Sequence, residues 1–262
     1  MTIDRPGVGP AASDDRPFIA EDFIFDPAAF TATQDLAVVH EEVFLEETPL
    51  SVWRQIHLEH GARPHTAVTL RCALCWNGFR DALTLLERFP RSFQRAIPPN
   101  AVVNTAERYR TGDAGVAWAW SGTGEPDVLA LVRNNVYASF TGHDAAEIVR
   151  LAAGELDEAL QRLRTSGPYA DGPTGALDEV RRRVPDVARV ASGGRLDLGG
   201  VPTDPNTRVF FLSTGGSVNR SPERAEHWYY RAGEAKGRHE IVAFRVGRGI
   251  LPVRERLVVE VE

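Results

Sequence analysis

VLALVRNNVYASF, residues 128–140, decides how this chain is read. Two runs of β-branched and apolar residues, 128–132 and 136–140, flank Asn134-Asn135. Asparagine tolerates the left-handed backbone of a tight hairpin turn, so the stretch predicts two antiparallel strands joined by that turn. Downstream, 143–163 sets Ile148, Leu151, Ala152, Leu156, Leu160 and Leu163 along one helical stripe. Upstream, 116–120 and 66–76 read as strands. Asn77 is placed to cap the next helix, with Phe79, Leu83, Leu86 and Phe89 at helical spacing and Pro90 ending it. The order strand, helix, strands, helix predicts an α+β domain over 18–165, an antiparallel sheet with helices on one face.

On the N-terminal side, residues 1–17 carry Pro, Gly and Asp without an apolar run and read as a flexible tail. Residues 36–45 fit a strand or a helix. Glu46-Glu47-Thr48-Pro49 predicts a helix entry, with Thr48 as cap and Pro49 in the first turn. Leu50, Trp53, Ile56 and His57 would share the buried face of a helix over 49–60. On the C-terminal side, 166–185 reads as a linker containing a short helix at 175–183. Beyond it only strands are expected, at 187–198, 207–212, 227–232, 239–246 and 251–261. Five short strands separated by Gly and Pro turns predict an immunoglobulin-like β-sandwich over 186–262.

Composition narrows the classes of function. Of 262 residues, 43% are hydrophobic and 25% charged, the balance of a folded protein and not of a disordered or collagen-like chain. No run of 18 apolar residues is present, so no spanning helix is expected. A net charge of −6 repels phosphate backbones at long range and argues against nucleic acid. The charge is uneven: 186–262 holds 12 basic and 10 acidic residues, leaving 18 and 26 for 1–185, which supports two units with different surfaces. Arginine supplies every cation except Lys236, a coding bias that weakens arginine abundance as a sign of a phosphate site. The N-terminus lacks the basic-then-apolar form of a secretion signal, so a cytoplasmic location is expected. Two cysteines without such a signal give no disulfide framework.

Four constellations can carry chemistry. His57, His60 and His65 lie within nine residues, and imidazoles are common zinc and iron ligands. On a helix, His57 and His60 would share a face and His65 would join them after the 61–64 turn, giving a metal-dependent enzyme that polarises substrate or activates water. The competing account is a solvated helix end. Cys72 and Cys75 follow, but residues three apart on a strand face opposite ways, so both read as small core residues. The turn Thr214-Gly215-Gly216-Ser217 with Asn219-Arg220 is a candidate for holding an anion, through Ser217, the turn amides and Arg220, or the glycines simply make a turn. No P-loop lysine, G-x-S-x-G elbow, HExxH or GxGxxG is present.

The fourth is His227-Trp228-Tyr229-Tyr230. As a strand it sends Trp228 and Tyr230 to one face, with Trp228 read as the sandwich's core aromatic, and His227 and Tyr229 to the other. Tyr229 with Arg231, Arg238 and Arg245 would make a surface of the residue types enriched at protein interfaces. Trp118 and Trp120, on one face of a strand, line a small-ligand pocket or serve as core. The reading preferred is a non-catalytic binding or assembly protein, without cofactor. It would take a protein partner, or a second copy of itself, through the C-terminal sandwich.

Two resemblances bear on that reading. The run WAWSGTGEPDVLALVRNNVYASFTGHDAAEIVRLAAGELDEAL, residues 118–160, resembles the sensor-type α/β domains of actinobacterial lipoproteins and membrane-protein ectodomains, with Arg133, Asn134, Asn135 and Asp157 at the matching places. Residues 237–262, GRHEIVAFRVGRGILPVRERLVVEVE, are similar to the last two strands of bacterial immunoglobulin-like domains. Both resemblances imply recognition without catalysis, and an extracytoplasmic setting. Neither supplies catalytic residues.

Overall fold

The structure, a computed structural model, describes residues 30–75, 78–92, 101–103, 105–120, 124–163, 170–184, 187–201, 207–224, 226–247 and 250–262. The expected tail over 1–17, the Asn77 cap and linker residues 166–168 lie outside them. Strands β1 (Leu36–Glu47), β2 (Leu50–His60) and β3 (Ala67–Cys75) precede helix α1 (Phe79–Ser92) and the single turn α2 (Thr105–Arg108). Then come β4 (Ala114–Trp118), β5 (Val128–Arg133), β6 (Val136–His143) and the long helix α3 (Ala146–Leu163). The six strands form one antiparallel sheet in the order β1-β2-β3-β6-β5-β4. The 128–140 hairpin forms as its sequence dictates, with Asn134 at φ 52° in the left-handed region.

The helices do not share one face of this sheet. Phe79, Ala82, Leu83, Leu86 and Phe89 of α1 pack with Ala73, Cys75, Val116, Ala130 and Val132. Val149, Ala152, Leu156 and Leu160 of α3 pack with Cys72, Leu74, Ala117, Leu129 and Leu131 on the reverse side. The expectation of helices on one face is therefore corrected. Its physical cause is visible in β4, whose five residues are all buried, and in β5, whose first five are. Strands apolar on both faces need cover on both. Leu151, assigned to the α3 stripe from sequence, is exposed. Pro90 does not end α1; it sits in the last turn, which continues to Ser92.

The second correction falls on 49–60, which is strand β2 and not a helix. Its buried residues belong to two half-faces. Ser51 and Trp53 point toward α1, while Ile56 and Leu58 point toward the α3 side. Changing faces midway brings Trp53 and Ile56 three apart, and that imitates a helical spacing. Thr48-Pro49 is the turn of a long hairpin that pairs Glu47 with Leu50.

The chain continues through β7 (Ala170–Asp171), α4 (Asp178–Arg183), β8 (Val187–Val190), β9 (Arg195–Gly200), β10 (Thr207–Ser213), β11 (Gly216–Arg220), β12 (His227–Ala232), β13 (Gly237–Gly247) and β14 (Ile250–Val261). The stretch 187–198, expected as one strand, breaks after Val190 and passes Gly193 at φ +69° before β9 begins. β10, β13 and β14 form a second sheet, with β7 and β8 each parallel to β14. β11, β12 and β9 form a third, antiparallel sheet. The second and third sheets enclose one core of Phe211, Ile241, Ala243, Leu257, Val259, Leu198, Val218 and Tyr230, which Ala176, Leu177 and Val180 of the 170–184 segment complete. The protein is thus α+β, rich in antiparallel sheet.

The two halves share a core. Phe210 and Leu212 of β10 and Val242, Phe244 and Val246 of β13 belong to the same cluster as α1. Layers therefore run α3, first sheet, α1, second sheet, third sheet. Polar side chains cross the same junction. Arg208 of β10 donates to Glu87 at 3.0 Å and to Thr84 at 3.2 Å on α1. Arg254 of β14, almost fully buried, donates to Asp171 at 2.7 Å and to Glu107 of α2 at 3.2 Å.

Inside the first half, Arg133 donates through Nε and Nη2 to both carboxylate oxygens of Asp157 at 2.7 Å, and through Nη1 to Asp113 at 3.0 Å. Asp113 and Asp157 are 5% and 1% exposed, so removing the guanidinium would strand two carboxylates away from water. Breaking a buried ion pair by deleting one partner costs about 3–5 kcal/mol. Arg133→Met is expected to lower the unfolding free energy by that amount in a urea titration; a loss under about 1 kcal/mol would contradict this role.

Candidate functional site

The third sheet builds the candidate site by simple alternation. On β12, Tyr230 and Ala232 turn inward and are buried, which leaves Tyr229 and Arg231 on the outer face. β11 places Asn219 opposite Tyr229 and Ser217 opposite Arg231; β9 places Asp197 opposite Tyr229 and Arg195 opposite Arg231. The guanidinium carbon of Arg195 lies 3.8 Å from the centre of the Tyr229 ring, a stacked cation–π contact. Asn219 Nδ2 donates to Ser217 Oγ at 2.8 Å. The result is an outer face carrying the Tyr229 ring under the Arg195 guanidinium, with Arg231, Asp197 and the Asn219–Ser217 pair in adjacent register.

Three expected site residues, Tyr229, Arg231 and Ser217, come together here. Arg238 and Arg245 do not. Both stand on β13 in the second sheet, across the core from this patch. Arg238 is exposed beside Glu260 of β14. Arg245 is half-buried, paired in register with Val209 and Val253. Ser217 and Arg220 lie three apart on β11, so they point to opposite faces, and Arg220 sits 5.0 Å from the Trp228 ring instead. The anion-holding turn is corrected accordingly. Its glycines answer to the core: a side chain at Gly215, which has φ +61°, would collide with the His239 ring, and one at Gly216 with the Tyr230 ring and the Arg231 carbonyl. Arg195 was missed from sequence because its contribution depends on which strand flanks β12.

Beneath the patch, the aromatic at the centre of the core between the second and third sheets is Tyr230, fully buried, where sequence favoured Trp228; Trp228 is half-buried and leans on Phe211 with ring centres 5.1 Å apart. The Tyr230 hydroxyl lies 2.6 Å from His239 Nδ1 and 3.2 Å from the Thr214 carbonyl. Burial pushes the tyrosine up and the His239 imidazole down from 6.5. The native state thus holds His239 neutral in the pH range where the unfolded chain takes up a proton. Its contribution is present above the unfolded value of 6.5 and is lost as pH falls through that range. Unfolding free energy should therefore fall as pH drops below 6.5, with a slope that His239→Gln flattens. An unchanged slope in that variant would contradict the assignment.

The histidine cluster does not converge. His57 and His60 are three apart on a strand and face opposite ways. His57 Nδ1 lies 3.0 Å from Thr69 Oγ1, and its Nε2 lies 3.3 Å from Glu59. His60 Nδ1 accepts hydrogen bonds from the backbone N–H groups of Ala62 and Arg63, and His65 is exposed in the turn beyond. Among the described residues, no group of three or more His, Cys, Asp or Glu side chains could hold a metal ion. The helix that would have aligned these imidazoles for zinc or iron is absent.

Cys72 and Cys75 lie in β3, with Cys72 in the α3-side core and Cys75 in the α1-side core, as the strand reading requires. Burial raises the Cys72 thiol to about 12 and the Cys75 thiol well above its ordinary value. Neither should react with a thiol-exchange reagent in the native protein, and both should react in denaturant; fast native labelling would contradict this. Trp118 is buried and meets the exposed Trp120 edge-on, with ring centres 5.9 Å apart. Trp118 packs with Phe89 of α1, so it serves as core.

No helix among the described residues is long and apolar enough to cross a membrane. No family of known proteins matches the chain, and no curated protein matches it. One solved structure it is similar to is a nucleoside hydrolase-related hypothetical protein from Saccharophagus degradans that is associated with carbohydrate metabolism. The two share 15% identity over 54% of this chain and 41% of that one, with a TM-score of 0.25. A likeness at that level carries no inference about fold or activity.

Proposed function

We propose that this chain is a non-catalytic recognition or assembly protein that engages a protein partner through the outer face of the β11-β12-β9 sheet. The observation that carries the proposal is the juxtaposition of Arg195, Tyr229 and Arg231, an aromatic ring stacked under one guanidinium with a second arginine in adjacent register. Tyrosine and arginine dominate the residues whose truncation costs most at protein interfaces, because each joins a large rigid contact area to directional donors. Two cations in adjacent register, with Asp197 as the neighbouring carboxylate, favour a partner surface that brings acidic groups.

The immunoglobulin-like assignment of 186–262 and the sensor-domain resemblance of 118–160 belong to the same proposal. Two packed sheets around Tyr230, and the Arg133–Asp157 pair behind the hairpin, support them. Both are scaffolds that present a surface.

The experiment compares affinity capture by the full chain and by a Tyr229→Ala, Arg231→Ala variant from lysate of its source, quantified protein by protein. At least one captured protein is expected to fall by more than about tenfold in the variant, at unchanged melting temperature, since paired losses at such anchors commonly exceed 2 kcal/mol. Identical capture profiles would overturn the proposal.

A further inference from the structure

The first sheet ends in a long edge strand with several large apolar side chains exposed. β1 is twelve residues long, pairs on one side with β2, and has no strand on its other side among the described residues. Val38, Val43 and Leu45 are 52%, 62% and 50% exposed on it. A long, open, apolar edge is a template for another strand unless something covers it.

Its register with β2 fixes which residues share a face. Val38, Glu41, Val43 and Leu45 stand opposite Leu58, Ile56, Arg54 and Val52, while His40, Glu42 and Phe44 stand opposite His57, Gln55 and Trp53. Between Val38 and His40 the register shifts, leaving Val39 as the extra residue of a bulge. Leu36 and Ala37, opposite His60 and Glu59, complete the two sets.

We infer that β1 pairs antiparallel with β1 of a second copy of this chain, about a two-fold axis through Glu41. A two-fold axis normal to a sheet requires facing residues to lie on the same side of it. With Glu41 on the axis and the bulge counted as one position, the facing pairs are His40–Glu42, Val38–Val43, Ala37–Phe44 and Leu36–Leu45, each formed twice. Every pair joins residues of one face. Three of the four are apolar on apolar, and the fourth sets an imidazole against a carboxylate. The two Glu41 side chains meet at the axis, the one like-charged contact, and each is already held by Arg54 of its own chain at 2.8 Å. Glu46 and Glu47 lie beyond the paired run, on its solvated rim.

The inference is independent of the patch on the third sheet, since β1 belongs to the first. Light scattering of the full chain is expected to give a dimer. A Val38→Lys, Val43→Lys variant, altered only at exposed positions, is expected to keep its circular dichroism and fall to the mass of one chain. Single cysteines fix the register, because the native thiols are buried. Glu41→Cys places two thiols across the axis, where facing Cα atoms are about 5 Å apart and a disulfide closes under mild oxidation. Val43→Cys places them about 13 Å apart and leaves them unlinked. A monomeric full chain would overturn the inference, whether the N-terminal residues or another protein cover the edge. So would a dimer that cross-links through position 43 and not through position 41.

Discussion

Helix α1 is the piece on which the rest of the molecule depends. Five consecutive residues, Ala82 to Leu86, are all buried, although a helix lying on one sheet buries a stripe and leaves intervening positions wet. α1 is wet on neither broad side because the first sheet covers one and β10 with β13 covers the other. That single placement commits the first sheet to a second helix on its reverse face, the position α3 takes. It also commits the second sheet to a third, since Val209, Phe211, Ile241 and Ala243 still need a dry partner on the far side. The five layers follow from a few apolar faces, each satisfied in turn.

The outward-facing pair Tyr229 and Arg231 is a by-product of the last of those requirements. Once Tyr230 and Ala232 fill the core between the second and third sheets, the pleat turns Tyr229 and Arg231 outward. The core beneath is tightly set, with Gly215 and Gly216 lying where a methyl group would strike His239 and Tyr230. That core holds the strand on which Tyr229 and Arg231 stand in register with Asn219 and Ser217 of β11 and with Asp197 and Arg195 of β9.

How much of this was legible in the sequence depended on whether the information was local. The 128–140 hairpin was legible because Asn134 must accept a left-handed backbone and its flanks are β-branched and apolar, and 227–232 because its last residues alternate Tyr230 and Ala232 inward with Tyr229 and Arg231 outward. β2 was misread because its buried residues change face midway, and only the positions of α1 and α3 reveal that. β11 was taken for a loop because Gly215 and Gly216 look like turn residues until His239 and Tyr230 are placed against them. Of the site, Tyr229, Arg231 and Ser217 could be named from one strand and its neighbouring turn. Arg195 could not, because β9 reaches β12 only through pairing across about thirty residues of sequence. Arg238 and Arg245 were included on proximity in sequence, which the strand change from β12 to β13 makes misleading.

The central claim, that α1 couples both halves into one cooperative unit, is tested most directly by native-state hydrogen exchange on the full chain and on Leu86→Ala. Leu86 is fully buried in the shared core, and truncating such a leucine costs about 2–5 kcal/mol. The account predicts that the slowest amides of β5 and β6 and those of β10 and β13 lose protection together, by the same factor. Loss confined to the first sheet, with β10 and β13 as protected as before, would contradict it and leave the C-terminal sheets a separate folding unit.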